Sequence, residues 1–226
     1  MKIIQSIKSF IYALKVKISY LHPFKSYRHS EHSGTLHIFL RNGRKILESD
    51  NANYSFASLH RIMNFALSEV EIAKKADILL LGLWGWSALE ILRSDFWIQN
   101  KIVTVDIDPV IIDVAKKEFK LEQYSDVEII CQDAYDFVAQ TDNTFGLVII
   151  DLWLDNKVPE KFFNEIFWDS VVKILSKKWQ LIFNMLIETT DKEKLDRVLQ
   201  FISNSGLAFQ TYDKVDKTNR LVIAKK

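Results

Sequence analysis

From residue 78 onward the sequence alternates short apolar runs with amphipathic helical patterns, and this alternation limits the fold more than any other feature. The apolar runs lie at 78–81, 102–106, 127–131, 147–151 and 180–185. The helical patterns between them lie at 88–93, 110–119, 134–138 and 160–175. Strands that are apolar along both faces are typical of parallel sheets covered by helices on both sides. We therefore predict an α/β fold with a central parallel sheet.

The end of the chain has a different pattern. A helix is predicted at 191–204, and two strands follow at 208–213 and 220–224. The connection between these strands is too short for a crossover helix, so the pair must be antiparallel. Together with the five runs above, the pair brings the number of predicted strands to seven.

The first residues have the pattern of an amphipathic helix. Apolar residues recur at three- and four-residue spacing, which places them on one helix face. These residues are Ile3, Ile7, Phe10, Ile11, Leu14 and Ile18. The lysines that lie largely off that face are Lys2, Lys8, Lys15 and Lys17. The pattern favours packing on the helix's own domain or on a second subunit. The alternative is docking on a membrane surface or a partner.

Charge is distributed unevenly along the chain. Residues 1–45 contain nine Lys or Arg and one acid, Glu31, so this segment carries +8 and the remainder carries −7. This asymmetry suggests a basic arm with a partner. The net charge of +1 argues against a protein built around nucleic acid, so no nucleic-acid partner is expected.

The region after the first helix predicts a small separate unit. Residues 21–34 are polar and His-rich and are interpreted as a linker. Two strand-like segments, 35–41 and 44–48, flank Asn42-Gly43, a dipeptide that tolerates the positive φ angles of a tight turn. A helix follows at 58–67. The predicted units are 1–34 (basic helix and linker), 35–68 (hairpin and helix) and 69–226 (main domain).

Composition narrows the function classes. The chain has 226 residues, of which 48% are hydrophobic and 26% charged, as in ordinary globular proteins. No stretch reaches the roughly 18 apolar residues of a spanning helix, and the start lacks a signal-peptide cleavage site. The single Cys131 cannot form an internal disulfide, which favours a reducing, cytoplasmic compartment. No metal is expected, because the histidine spacing in the arm matches no common zinc pattern; these histidines are His22, His29, His32 and His37.

Candidate site residues follow the ends of the first two predicted strands, where sheets of this kind bind ligands. Gly82, Leu83 and Gly85 lie in a turn that either lets a ligand approach the backbone or packs strand against helix. Asp106 ends the second strand, 24 residues after Gly82. An acid at this spacing typically accepts hydrogen bonds from the ribose hydroxyls of a nucleoside ligand. Ile107 follows it directly.

Further acids follow the next strands. Asp108 is interpreted as a helix cap. Asp133, before Ala134, either accepts the exocyclic amine of adenine or caps the next helix. Asp151 ends the fourth strand and could deprotonate a nucleophile or hold an amine. Asp155, four residues on, is either an acceptor contact or a solvated loop acid. The tryptophans near these positions could wall a pocket or serve packing; they are Trp84, Trp86 and Trp153.

Taken together, these motifs resemble the spermidine synthase family, within the class I S-adenosylmethionine-dependent methyltransferase superfamily. Asn53-Tyr54-Ser55-Phe56-Ala57-Ser58-Leu59-His60 is similar to that family's segment leading into its first helix. Val105-Asp106-Ile107-Asp108 is similar to its ribose-binding motif and Gln132-Asp133-Ala134 to its adenine-contacting motif. Residues 151–159 are similar to its active-site loop.

The resemblance implies the fold, the cofactor and the roles of residues. It implies the Rossmann-like class I methyltransferase sheet of seven strands, ending in a reversed strand. It also implies a bound S-adenosylmethionine or decarboxylated S-adenosylmethionine, a small-molecule acceptor and a homodimer. The residues it assigns to the donor are Gly82, Leu83, Gly85, Asp106, Ile107, Asp133 and Ala134. It places Asp151 at the reaction as the catalytic residue. The residues it assigns to the acceptor are Tyr54, His60, Trp153 and Asp155.

Departures from the family pattern bear on the reaction. Trp84 and Trp86 occupy positions where the family has small residues, and the turn lacks the acid that holds the donor's amine in aminopropyltransferases. The two loop acids are four residues apart rather than three, and Lys157 follows them. These departures favour methyl transfer to a small acceptor. Aminopropyl transfer is the alternative, and so is an inactive homologue whose donor pocket is filled by the two tryptophans.

Overall fold

The computed structural model describes residues 2–50, 56–83, 86–154 and 156–225. The helices are α1 (Lys2–Ile18), α2 (Phe56–Ser68), α3 (Trp86–Ser94), α4 (Pro109–Glu118), α5 (Ala134–Gln140), α6 (Glu165–Lys173) and α7 (Lys192–Asn204). The strands are β1 (Phe24–Ser30), β2 (Gly34–Arg41), β3 (Arg44–Ser49), β4 (Ile78–Leu81), β5 (Ile102–Asp106), β6 (Val127–Cys131), β7 (Phe145–Ile150), β8 (Leu175–Leu186), β9 (Ala208–Val215) and β10 (Asn219–Lys225). Among the residues described, no helix combines the length and apolarity needed to span a bilayer.

The main sheet has seven strands in the order β6-β5-β4-β7-β8-β10-β9. Neighbours from β6 to β8 are parallel, and β10 runs antiparallel to both β8 and β9. The predicted α/β class, the seven-stranded sheet and the reversed terminal pair are therefore confirmed. The predicted helix at 160–175 is divided, because a 3₁₀ turn at Glu160–Phe163 precedes α6.

Two apolar cores lie on opposite faces of this sheet, because successive side chains of a strand alternate between faces. Ile78 and Leu80 of β4 belong to the core covered by α2, α3, α4 and the small sheet. Leu79 and Leu81 belong to the core covered by α5, α6 and α7. Burial on both faces explains why β4 is apolar throughout, and it favours polar residues at the strand ends.

The small N-terminal sheet has three strands, in the order β1-β2-β3. The hairpin at Asn42-Gly43 is confirmed, with φ angles of 52° and 76°. The linker interpretation of residues 21–34 is wrong, because β1 pairs with β2 from Phe24 opposite Leu40 to Ser30 opposite Gly34. Most side chains of β1 are exposed and polar, so backbone pairing forms this strand without an apolar pattern. The division of the chain at residues 34 and 68 stays a prediction, and β1 pairs with β2 across the first boundary.

Candidate functional site

A cavity of about 200 Å³ lies at the carboxyl edge of the main sheet, beyond the ends of β4, β5, β6 and β7. The strand order changes direction at β4, because β5 lies on one side of it and β7 on the other. Such a crevice is where open α/β sheets bind ligands. The residues that line it are His32, Ser33, Gly82, Val105, Asp106, Ile107, Asp108, Asp133, Ala134, Leu152, Trp153, Leu154, Pro159, Lys161 and Phe162.

Asp106 is held at the cavity by backbone N–H groups. One carboxylate oxygen accepts from Leu83 N at 2.7 Å and the other from Asp108 N at 2.8 Å. Each carboxylate oxygen can accept a second hydrogen bond, so both retain an acceptor site. Burial raises the pKa of Asp106 to about 6, although the two N–H groups favour the ionised form. At neutral pH the residue is therefore a charged acceptor at the cavity.

Leu83 contributes to the site differently from the prediction. Its side chain is buried in the core beneath the small sheet, and it is not among the residues that line the cavity. Its backbone N–H instead fixes Asp106. This contact arises because the chain turns at the end of β4, beside the last residue of β5.

Asp108 caps α4, which confirms its interpretation as a helix cap: Val110 N and Ile111 N donate to its carboxylate. The same carboxylate also accepts from the hydroxyls of Ser30 and Ser33, at 2.5 and 2.6 Å. These two bonds tie the turn between β1 and β2 to the edge of the main sheet. They place His32 and Ser33 in the cavity wall, which the linker interpretation of this segment could not anticipate.

Asp133 is the N-cap of α5, so the cap interpretation is confirmed. One oxygen accepts from Tyr135 N at 2.8 Å. The other forms an ion pair with Lys161, which extends from the 3₁₀ turn before α6. Asp133 and Ala134 both line the cavity, and contact with a ligand there stays a prediction.

Asp151 lies on the far side of β4 and is completely buried. One of its oxygens, Oδ1, accepts from Trp153 Nε1 at 2.6 Å and from Asn184 Nδ2 at 2.8 Å. The other oxygen has no hydrogen-bond partner within the described part of the chain. Burial raises the pKa of this carboxyl. The side chain is not part of the cavity lining, so the catalytic role of Asp151 stays a prediction.

A buried polar row continues from Asp151 across the sheet. Asn184 of β8 accepts from Asn219 of β10, at 2.8 Å between Oδ1 and Nδ2. Asn219 in turn accepts from the hydroxyl of Thr218. These contacts join three neighbouring strands at one level of the sheet. The sequence does contain a signal for Asn184, which is the single polar residue in the segment 181–185.

Gly82 is required by the close approach of β4 and β7. Its φ angle is +94°, and a Cβ built on it would lie 2.1 Å from the carbonyl oxygen of Asp151. Any side chain would therefore collide with backbone. Gly82 also lines the cavity, so both interpretations of this glycine, strand packing and ligand approach, are compatible with its position.

The remaining predicted residues are placed as follows. Trp153 serves both interpretations made for it, since it lines the cavity and its indole N–H bonds Asp151. His60 is not brought into this cavity; it lines a separate one with Tyr12, Arg44 and Lys45. Lys157 is exposed and does not line the cavity. Tyr54, Trp84, Gly85 and Asp155 lie outside the described residues, and Trp86 begins α3.

Residues 56–201 match the sequence model of a family described as the spermine/spermidine synthase domain. A polyamine aminopropyltransferase from Sulfurisphaera tokodaii is 27% identical over 141 residues, which cover 59% of this chain and 44% of that protein. An eEF1A lysine and N-terminal methyltransferase homolog from Drosophila melanogaster is 26% identical over 121 residues, covering 49% and 18%. The chain thus spans less than half the length of these relatives.

Solved structures show the same fold. A probable spermidine synthase from Corynebacterium glutamicum superposes with a TM-score of 0.59 at 15% identity, covering 90% of this chain and 77% of that one. Human methyltransferase-like protein 13, in complex with SAH (S-adenosylhomocysteine), superposes with a TM-score of 0.56 at 20% identity, covering 74% and 79%. The fold is therefore shared by proteins named for both reactions.

Proposed function

This chain belongs to the spermine/spermidine synthase family, and we propose that it is a transferase that binds S-adenosylmethionine at the end of β5 and methylates a small acceptor. The observation that carries the proposal is the placement of Asp106. This carboxylate faces the cavity, is held rigidly by two backbone N–H groups, and retains an acceptor site on each oxygen.

The residues around the cavity fit the chemistry of the donor. Asp106 would accept from the two ribose hydroxyls. Ile107, Leu152 and Phe162 offer apolar wall for the adenine, and Asp133 keeps acceptor capacity for its amine. When bound, the donor supplies a methyl group on a positively charged sulfur, already activated for transfer. The protein's own contribution would be positioning and the exclusion of water.

The charges at the cavity support methyl transfer over aminopropyl transfer. Of the acids that line it within the described residues, Asp106 would be occupied by the donor's ribose. Asp108 already accepts four hydrogen bonds, and Asp133 is paired with Lys161. Lys161 and His32 lie in the same wall. A diamine carries two positive charges and needs acids that are free to bind it. A neutral or anionic acceptor would not need free acids for binding.

The second candidate is aminopropyl transfer from decarboxylated S-adenosylmethionine to a diamine. The family match and the relative named polyamine aminopropyltransferase support it. The homodimer expected from the family resemblance stays a proposal under either reaction.

Calorimetric titration tests donor binding. We expect S-adenosylmethionine and S-adenosylhomocysteine to bind, with Asp106→Ala weakening binding by about a hundredfold, because two hydrogen bonds to a charged acceptor are lost. Asp113→Ala removes a half-buried acid of α4 that is paired with Lys117 and does not line the cavity, and this variant should bind as the wild type does. No heat from any donor, in a folded sample, would contradict the proposal and point to a pocket closed by Trp84 and Trp86.

A turnover assay separates the two reactions. Each donor is offered with putrescine and with a panel of small hydroxyl, thiol and amine acceptors. Formation of S-adenosylhomocysteine supports the methyltransferase. Formation of methylthioadenosine from the decarboxylated donor and putrescine would contradict it and instead identify the protein as an aminopropyltransferase.

A further inference from the structure

Helix α1 turns its apolar stripe towards solvent. The described side chains of the predicted stripe are all exposed, with Phe10 reaching 72%; they are Ile7, Phe10, Ile11, Leu14 and Ile18. Ile4, which the helical period places on the same face, is also exposed, whereas the side chain of Ile3 lies outside those described. Tyr20 and Leu21 continue the exposed apolar surface beyond the helix end. The prediction that this stripe packs on its own domain is therefore wrong. Contiguous exposed apolar patches of this kind typically mark interaction sites.

Residues outside the stripe hold α1 to the rest of the chain. The ring of Tyr12 lies 5.2 Å from the ammonium of Lys45, and the ammonium of Lys15 lies 5.8 Å from the ring of Phe24. Ser19, directly after the helix, is buried and accepts from the backbone N–H groups of Asn42 and Gly43. None of these contacts uses a residue of the stripe, so they leave the stripe uncovered.

The charge of residues 1–45 indicates which kind of surface the apolar stripe of α1 would bind. The helix contains four lysines and no acid. Lys15 and Lys17 are exposed and flank the stripe on its two sides. The first acid of the chain is Glu31, and residues 1–45 carry +8. Lysines beside an apolar face can extend their ammonium groups to the level of lipid headgroups.

We propose that α1 anchors the protein to the surface of an anionic membrane, lying in the plane of the interface with its stripe among the acyl chains. Amphipathic helices with basic flanks bind such surfaces through apolar burial plus attraction to anionic lipids. A second copy of the chain fits the stripe less well. Two paired stripes would bring the lysines of both helices to the same seam, where like charges repel.

Vesicle cosedimentation of the full chain tests the anchor. We expect binding to vesicles of three parts phosphatidylcholine and one part phosphatidylglycerol, and at least tenfold weaker binding to phosphatidylcholine alone. The double variant Phe10→Ser/Ile11→Ser should weaken binding by more than about a hundredfold, since two apolar side chains are lost. Lys15→Gln/Lys17→Gln should weaken it about thirtyfold and abolish most of the salt dependence.

The matched control is Ile166→Ser, which removes an exposed apolar side chain of α6 and should bind vesicles as the wild type does. Thermal unfolding should be unchanged in all three variants, because the substituted side chains are exposed. If the Phe10→Ser/Ile11→Ser variant bound vesicles as strongly as the wild type does, the proposal would be overturned. So would a dimer, seen by light scattering and dissociated by the same variant, in a protein that does not bind vesicles.

Discussion

Two buried aspartates flank β4, and their surroundings differ. Asp106 at the end of β5 is held by backbone N–H groups, one on each oxygen. Asp151 after β7 is held by two side chains on one oxygen, while the other has no partner within the described residues. Burial raises the pKa of both. The first therefore presents a fixed acceptor to the cavity, and the second organises the interior behind it.

The origin of these partners shows what a local sequence can specify. Each aspartate has one partner two residues away, Asp108 N for Asp106 and Trp153 for Asp151. The other partner comes from a neighbouring strand: Leu83 N follows β4 and Asn184 lies in β8, so both contacts depend on strand register.

The largest effect is expected at Asp151. Asp151→Ala should be about 4 kcal/mol less stable than Asp151→Asn, because both remove the charge but only the asparagine keeps an acceptor for Trp153 and Asn184. Each buried donor left without a partner costs about 1–3 kcal/mol. Urea unfolding of the two variants measures the difference. Equal stabilities would mean that this carboxylate does not organise its surroundings.

Asp106 should make stability depend on pH. Its pKa of about 6 in the folded protein lies above the ordinary 3.8, so the folded state binds the proton more tightly. The free energy of unfolding should then fall as the pH rises from about 4 to about 6, by roughly 3 kcal/mol. Asp106→Asn should lack this component, and unfolding curves across that range compare the two. An unchanged slope in the variant would assign the dependence to another group.

Asn184→Ala should cost about 2 kcal/mol, since Asn219 loses its acceptor and Asp151 loses a donor. Donor affinity should stay within about twofold, because Asn184 does not line the cavity. Asn143→Ala, an exposed amide before β7, is the control and should change stability by less than about 0.5 kcal/mol. Strong loss of donor binding in Asn184→Ala would show that the interior row also shapes the cavity.

The smallest effect is expected at Lys161, whose ion pair with Asp133 is partly exposed. Lys161→Met should change stability by less than about 0.5 kcal/mol. It should tighten donor binding about threefold, because Asp133 is freed to accept from the ligand. Calorimetry against Lys173→Met, an exposed lysine of α6, measures this. Weaker binding would instead show that Lys161 contacts the donor itself.

Sequence patterns predicted the elements whose determinants are local. The apolar runs from β4 to β8, the Asn42-Gly43 turn and the caps at Asp108 and Asp133 each depend on residues within a few positions. Strand β1 was missed because its side chains are polar and exposed, so its pairing with β2 leaves no periodic signal.

The candidate site was predictable only in part, for the same physical reason. Asp106 and Asp133 follow their strands directly, and the parallel sheet brings all strand ends to one edge. Ser33 and Lys161 reach the cavity from segments distant in sequence, through bonds to Asp108 and Asp133. Nothing in the spacing of residues 30–34 indicates that they meet residue 108.

Gly82 has a consequence for how this protein can change over generations. Since even a methyl group there would strike the carbonyl oxygen of Asp151, nearly every amino-acid substitution at this position is expected to be eliminated by selection, whichever ligand the cavity binds. The cavity wall can diversify at its exposed residues Ile107 and Leu154, whereas Gly82, between the ends of β4 and β7, cannot change. Changes in ligand specificity would therefore come from residues of the cavity wall other than Gly82.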